Sequence, residues 1–248
     1  VRNLQAAYGY YVNRRMWDDV TDLFADNSVY EFGGNGIYVG TSGVRKAHER
    51  MGPQGLTDGV LNDRLQFDTV VNIVPGRNEA YVRGLEMGIL GDVDKGEAFW
   101  EVSVFANRFV KEDGLWKVRE IRVFPLFRSD YTKGWGKSRI IETLTGPLIP
   151  DQPLPTEDTG SQDRTIPAFV SNHPVTGKPV NAPEGMQLVA TQALTGNMVV
   201  PATRKKSGDT AARLTDAARK VLRATAYDGA EHVSSSYGFY ADDSQWDW

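Results

Sequence analysis

Apolar positions recur with helical spacing at the start of the chain. Leu4, Ala7, Tyr8, Tyr11 and Val12 fall on one face at i, i+3, i+4, i+7 and i+8. Met16, Val20, Leu23 and Phe24 predict a second helical segment, with Asp18 and Asp19 in its first turn, where acids suit the helix dipole. Ala25-Asp26-Asn27-Ser28 has turn chemistry, and Val29, Tyr30, Glu31 and Phe32 read as a strand. Gly33-Gly34-Asn35-Gly36 turns into a short strand, Ile37-Tyr38-Val39. Thr41 or Ser42 is placed to cap a third helix through Val44, Ala47 and Met51, which Gly52-Pro53 ends.

Four long strand-like segments follow, over about 60–74, 79–90, 97–111 and 115–127. Glu112-Asp113-Gly114 between the last two is a strong hairpin signal. Helices followed by a four-strand meander predict an α+β fold, with helices packed on one face of a curved antiparallel sheet. Such a sheet, capped by helices, leaves a cone-shaped hollow where a ligand would sit. The tyrosine stripe of the first helix is either packing or part of the lining of that hollow.

Beyond the meander the texture changes. Eight prolines from Pro147 to Pro183 break any long element and predict an extended arm over a neighbouring surface. Ile166, Phe169, Val170, Val180, Met186, Leu188 and Val189 are the residues that would pin it. Ser207 or Asp209 then opens a helix with an apolar stripe at Leu214, Ala217, Ala218, Val221 and Leu222. The last residues repeat the first: Tyr237-Gly238-Phe239-Tyr240-Ala241-Asp242 aligns with Tyr8-Gly9-Tyr10-Tyr11-Val12-Asn13, and Trp246-Asp247 aligns with Trp17-Asp18 at the same offset. The expected organisation is a domain over 1–140, a proline-rich arm over 141–206, and over 207–248 a linker helix and the first helix of a second, incomplete repeat. A copy cut before its first strand cannot bury its own face, so we expect a piece of a longer tandem protein, or else a last helix docked elsewhere.

Composition narrows the function classes. The 248 residues are 40% hydrophobic with a formal charge of −4, which gives no reason to expect a nucleic-acid partner. The basic run Arg204-Lys205-Lys206 beside Ser207-Gly208 reads as a solvated loop. Absence of cysteine excludes disulfides, thiolate metal sites and cysteine nucleophiles. The three histidines, His48, His173 and His232, are too scattered to predict a metal, and no apolar run is long enough to cross a bilayer. The glycine cluster at 33–36 is a hairpin turn rather than a phosphate loop, and no cofactor is expected. His48, on the third helix, reads as packed or solvent-facing.

Trp17-Asp18, Leu23-Phe24-Ala25-Asp26, Gly36-Ile37-Tyr38-Val39-Gly40 and the run from Phe99 to Val118 together resemble the SnoaL-like branch of the nuclear-transport-factor-2-like superfamily. Asp130-Tyr131, Gly134-Trp135 and His173-Pro174-Val175-Thr176-Gly177 resemble a bacterial subgroup often found in tandem copies. The resemblance implies a cone-shaped α+β fold, which hosts dehydratases, isomerases, cyclases and non-catalytic members. It also loosely implies an exported protein, as would a start at Val1 if an upstream segment is removed, with a cytoplasmic protein as the alternative.

Catalytic members of that superfamily commonly pair an aspartate of the first helix with a histidine of the first long strand. The matching positions here are Asn13 and Arg64. Asparagine takes no proton and arginine stays charged, so the resemblance implies a first unit without that acid–base chemistry. Arg64 with Asn13 suits a carboxylate or carbonyl oxygen; alternatively Arg64 pairs with Asp63, Asp68 or Glu120 on the sheet. In the second copy the matching residue is Asp242, whose histidine would lie beyond Trp248.

The other ligand-binding candidates are Tyr11, Trp17, Tyr30, Trp100, Asn107 and Arg122. Trp17 and Trp100 are either core or ligand platform. Asn107 lies among Phe and Val, needs a partner if buried, and is expected to face the hollow with Arg108 and Arg122 beside it. Two functions remain open. One is a small-molecule-binding domain of a tandem-repeat protein with a catalytically degenerate first unit. The other is a cofactor-free lyase or isomerase acting on a small apolar molecule. The expected macromolecular partner is a second copy or the tandem domain.

Overall fold

The computed structural model describes residues 1–33, 35–140, 146–153 and 166–169, with short stretches and single positions between 172 and 230. The chain divides into two units, Val1–Ala202 and Thr203–Trp248. In the second unit the predicted repeat, Asp242 included, lies outside the described residues. Ala218 and Leu222 of the expected apolar stripe are helical and exposed.

The first unit opens with α1 (Arg2–Asn13), α2 (Trp17–Asp22), β1 (Phe24–Phe32), β2 (Ile37–Val39) and α3 (Gly40–Glu49). The meander follows as β3 (Val60–Ile73), β4 (Glu79–Asp92), β5 (Glu97–Glu112) and β6 (Leu115–Asp130). These strands form one six-stranded sheet in the order β2-β1-β6-β5-β4-β3, an α+β cone roofed by the N-terminal helices. Later in the chain, β7 (Ile166–Pro167) and β8 (Leu188–Val189) form a separate parallel pair.

Three local expectations need correction. The six-stranded sheet is antiparallel except at β1–β6, which run parallel. Tight turns join only antiparallel neighbours, whereas β1 and β6 are separated by α3 and the whole meander. Ala25–Ser28 is not a turn but part of β1, where the register against β6 shifts between Phe24 and Val29. The turn-type residues are absorbed as a bulge. Thr41 and Ser42 lie inside α3, which starts at Gly40 without a side-chain cap.

The core lies between the helices and the concave face of the sheet. Trp17, Val20 and Val44 from the helices meet Tyr30, Phe105, Phe109, Val118 and Ile121 from the strands, all at most 2% exposed. α1 departs from a simple apolar stripe, because Gln5 and Gly9 are buried along with Tyr8 and Val12. The bare Gly9 lets Gln66 of β3 come close to the helix. Gln5 donates to Gln66 Oε1 at 3.1 Å and accepts from Asn107 Nδ2 at 3.0 Å, so a polar seam crosses beneath α1.

The described parts of the arm dock on this unit. Ile37 N donates to Gln152 O at 2.8 Å and Tyr38 Oη to Leu148 O at 2.8 Å, while Lys46 pairs with Asp151. The segment thereby covers β2, one edge of the sheet. Further along, Arg83 Nη1 donates to the carbonyls of Pro167 at 2.5 Å and Ala168 at 3.1 Å. The Phe169 ring lies 4.2 Å from the Arg83 guanidinium carbon. At the opposite edge, Leu61, Leu65, Phe67 and Val70 of β3 are exposed.

Gly84 of β4 lies where the sheet packs most closely. A Cβ there would stand 2.5 Å from the Phe105 ring and 2.8 Å from the Phe67 carbonyl oxygen. Gly84→Ala is therefore expected to lower unfolding stability by about 1–3 kcal/mol through overpacking, read as a lower urea midpoint at unchanged slope.

Candidate functional site

A cavity of about 220 Å³ opens between α3, the loop after it and the concave face of the sheet. Its apolar wall includes Phe32, Ala47, Met51, Val60, Leu90 and Phe99. Its polar wall carries five cations, Arg15, Arg50, Arg64, Lys95 and Arg128, against three carboxylates, Asp92, Glu97 and Glu101.

Arg64 closes the floor. Arg64, Gly88, Glu101 and Arg128 stand in register across β3, β4, β5 and β6. Gly88 has no side chain to block the row, so Arg64 reaches over it. Its Nη1 donates to Glu101 Oε1 at 2.5 Å and to Glu86 Oε1 at 3.3 Å. A Cβ on Gly88 would lie 3.2 Å from Glu101 Cβ and 3.6 Å from Arg64 Nη1. Arg64 is 7% exposed, Glu86 9% and Glu101 2%. Burial alone would disfavour the guanidinium charge, but Glu101 and Glu86 outweigh it and move the Arg64 pKa upward. Burial raises the Glu86 carboxyl above the ordinary range, against the pull of Arg64. Arg64 Nε is buried without an acceptor among the described residues.

Asn13 does not meet the guanidinium. Its Oδ1 accepts from the main-chain N–H of Arg64 at 2.9 Å and ties the end of α1 to β3, assisted by Asn62 Nδ2 to Val12 O at 2.9 Å. The expected cooperation of Asn13 and Arg64 on one ligand oxygen is therefore not the geometry found. Neither is pairing of Arg64 with Asp63, Asp68 or Glu120. Asp63 alternates to the other face of β3 and pairs with Arg14 at 3.5 Å, and Glu120 pairs with Arg108 at 3.0 Å.

Of the other candidates, Tyr30 lines the cavity with Arg64. Trp17 is fully buried in the core, donating Nε1 to Gly52 O at 3.0 Å. Tyr11 packs half-buried beside Tyr10. Trp100 faces away from the cavity and stacks on Tyr131, with ring centroids 5.3 Å apart. Asn107 is buried in the seam under α1, and its Oδ1 accepts from Arg122 N at 3.3 Å. Arg122 donates Nε to Glu31 Oε2 at 3.3 Å, and Arg108 turns to Glu79 and Glu120. Strand alternation puts Asn107 and Arg108 on opposite faces, so they do not flank one site.

One residue escaped the sequence reading, while His48, expected to be packed or solvent-facing, is packed against the cavity region. His48 is fully buried behind it, with its ring centroid 4.9 Å from that of Tyr30. Its Nδ1 lies 2.8 Å from Val44 O and its Nε2 3.0 Å from Tyr8 Oη. A carbonyl only accepts, so the neutral ring carries its proton on Nδ1 and Nε2 accepts from the phenol. Burial lowers the His48 pKa to about 4 and raises those of Tyr8 and Tyr30. The missed residue is Arg15. Arg15 N–H bonds Val12 O at 3.1 Å and Met16 N–H bonds Tyr11 O at 2.9 Å, which is a Schellman ending to α1. That motif usually places glycine where Arg15 stands, at φ +52°. A side chain there costs about 1–2 kcal/mol. Nothing in the chain's periodicity marks that position.

Residues 1–122 match the family model of the SnoaL-like domain, which assigns this stretch to the SnoaL-like superfamily. No curated protein matches the chain. Among solved structures, one described as a putative scytalone dehydratase from Novosphingobium aromaticivorans DSM 12444 is 16% identical, covering 58% of this chain and 92% of its own at a TM-score of 0.46. The hexachlorocyclohexane dehydrochlorinase LinA-type3 from Novosphingobium barchaimii LL02 is 14% identical, covering 57% and 92% at 0.44. A ketosteroid isomerase-like protein from Erwinia carotovora atroseptica SCRI1043 is 16% identical, covering 51% and 93% at 0.44. Likenesses this distant assign no role to any residue of this chain.

The buried His48 makes stability pH-dependent. An unfolded imidazole titrates near 6.5 and the folded one near 4, so the unfolded chain binds the extra proton between them. Stability contributed by the neutral ring is therefore present above pH 6.5 and lost as pH falls toward 4, by up to about 3 kcal/mol. Urea unfolding of wild type and His48→Gln across pH 4–7 is expected to show this difference in slope, and parallel curves would contradict it.

Proposed function

We propose that the N-terminal unit is a small-molecule-binding domain that does not run proton-transfer chemistry, and that it is the first unit of a tandem-repeat protein. The observation carrying this reading is the state of Arg64. At the position matching the family's histidine, a guanidinium is held by Glu101 and Glu86, and Asn13 holds only its main chain. A permanently charged group locked between two carboxylates neither takes nor gives a proton near neutral pH. The cavity remains, with apolar walls and room for a small ligand. At about 220 Å³ it is smaller than the ~300–1,000 Å³ of drug-sized pockets and holds the volume of about seven waters at ~30 Å³ each.

The tandem reading rests on the recurrence of the Tyr8–Asn13 pattern at Tyr237–Asp242. The exposed apolar row Leu61, Leu65, Phe67 and Val70 on β3, an edge strand among the described residues, supports a further domain or second copy as partner. A cofactor-free lyase or isomerase is the competing function. In its favour, the Tyr30 hydroxyl makes no hydrogen bond among the described residues, in a residue only 2% exposed that lines the cavity.

Cyclohexanone in deuterated buffer separates the two. The wild-type protein is expected to bind it, seen as NMR shifts at Tyr30 and Met51, without exchanging its α-hydrogens faster than buffer. Accelerated α-exchange that His48→Gln leaves intact and Tyr30→Phe removes would favour the enzyme.

A further inference from the structure

We propose that the cavity selects a small monocarboxylate, with Arg15 as the group that binds the anion. This rests on the binding reading above and adds the ligand's chemical class. Arg15 sits where the helix ending calls for glycine, at φ +52°, and nothing in the folding of α1 requires a side chain there. The structure nevertheless accommodates it with care. Gly52, itself at φ +121°, is bare where the guanidinium lies, and a Cβ on it would collide with Arg15 Nη1. The Arg15 carbonyl accepts from Gly55 N–H at 2.9 Å, which fixes the loop over it. The guanidinium lines the cavity, its Nε is buried without an acceptor, and it makes no ion pair among the described residues. A strained backbone retained for one side chain is the pattern of a functional position.

The remaining charges leave this vacancy to a ligand. Arg64 is occupied by Glu101 and Glu86, and Lys95 by Asp92 at 2.5 Å. Arg128 lies 3.9 Å from Glu101 and over the Phe99 ring, and Arg50 lies over the rings of Phe32 and Tyr38. Glu97 is exposed. The cavity wall thus carries more positive than negative charge, and Arg15, which feels the charge of Asp92 without pairing with it, is left with guanidinium donors that make no hydrogen bond among the described residues. The hydroxyl of Tyr30 is a second donor facing the same space, and Phe32, Met51 and Leu90 offer an apolar body its surface. A flat or compact acid of the size of benzoate fits both the donors and the volume.

The test compares benzoate with its neutral isostere benzamide, by calorimetric titration of wild type, Arg15→Gly and Tyr30→Phe. Wild type is expected to bind benzoate at least tenfold more tightly than benzamide. Arg15→Gly relaxes the backbone as it removes the guanidinium, so its melting temperature is expected to be no lower than wild type, while the preference for benzoate disappears and benzamide binding is kept. Tyr30→Phe weakens benzoate severalfold. Benzamide bound as tightly as benzoate, or a preference that survives Arg15→Gly, would overturn the inference and leave the binding reading standing. Failure of both probes and of cyclohexanone to bind would remove both.

Discussion

The structure of the site depends on one buried ion cluster, the Arg64 guanidinium spanning β4 to reach Glu101 while sharing Glu86. Three ionisable groups, each at most 9% exposed, are tolerable together only because each supplies what burial takes from the others. The span needs a gap in the middle strand, and Gly88 provides it, in register with both ends. The same row fixes the floor of the cavity. It also places a fixed charge on that floor.

A division of labour around the cavity follows. Behind it, His48 is neutral, sealed between Tyr8 and Val44, and serves packing. Beneath it, the seam of Gln5, Gln66 and Asn107 anchors α1 to the sheet without lining the cavity. At its side, Arg15 holds a conformation that glycine would hold more easily, and its Nε has no acceptor among the described residues. Stability thus draws on the ion cluster and core, whereas the binding proposed above would draw on the strained helix end and Tyr30.

Periodicity made much of the fold legible. The four meander strands end within three residues of where alternation and the Asp113-Gly114 turn place them, because long strands with one buried face state their register plainly. Ala25–Ser28 misled because a bulge and a turn use the same residue types. The site was legible in part. Position matching led to Arg64 and Asn13, and Tyr30 proved to share the cavity with Arg64. The partners of Arg64 were not visible, since Glu86 and Glu101 are distant in sequence and meet it only through strand register and a missing Cβ. Asn107 and Arg122 drew notice as polar residues among apolar ones, but that signal marks burial and not the direction a side chain faces. Arg15 gave none, because a helix ending in the left-handed region is recognised by its glycine, and here the glycine is absent.

The central claim is that Arg64 and Glu101 act as one buried unit. A double-mutant cycle by urea unfolding of Arg64→Met, Glu101→Gln and the double variant measures this most directly. Each single change strands a buried charge, so the account predicts a coupling of about 2–3 kcal/mol, with the double variant far less destabilised than the sum of the singles. Additivity within about 0.5 kcal/mol would contradict it.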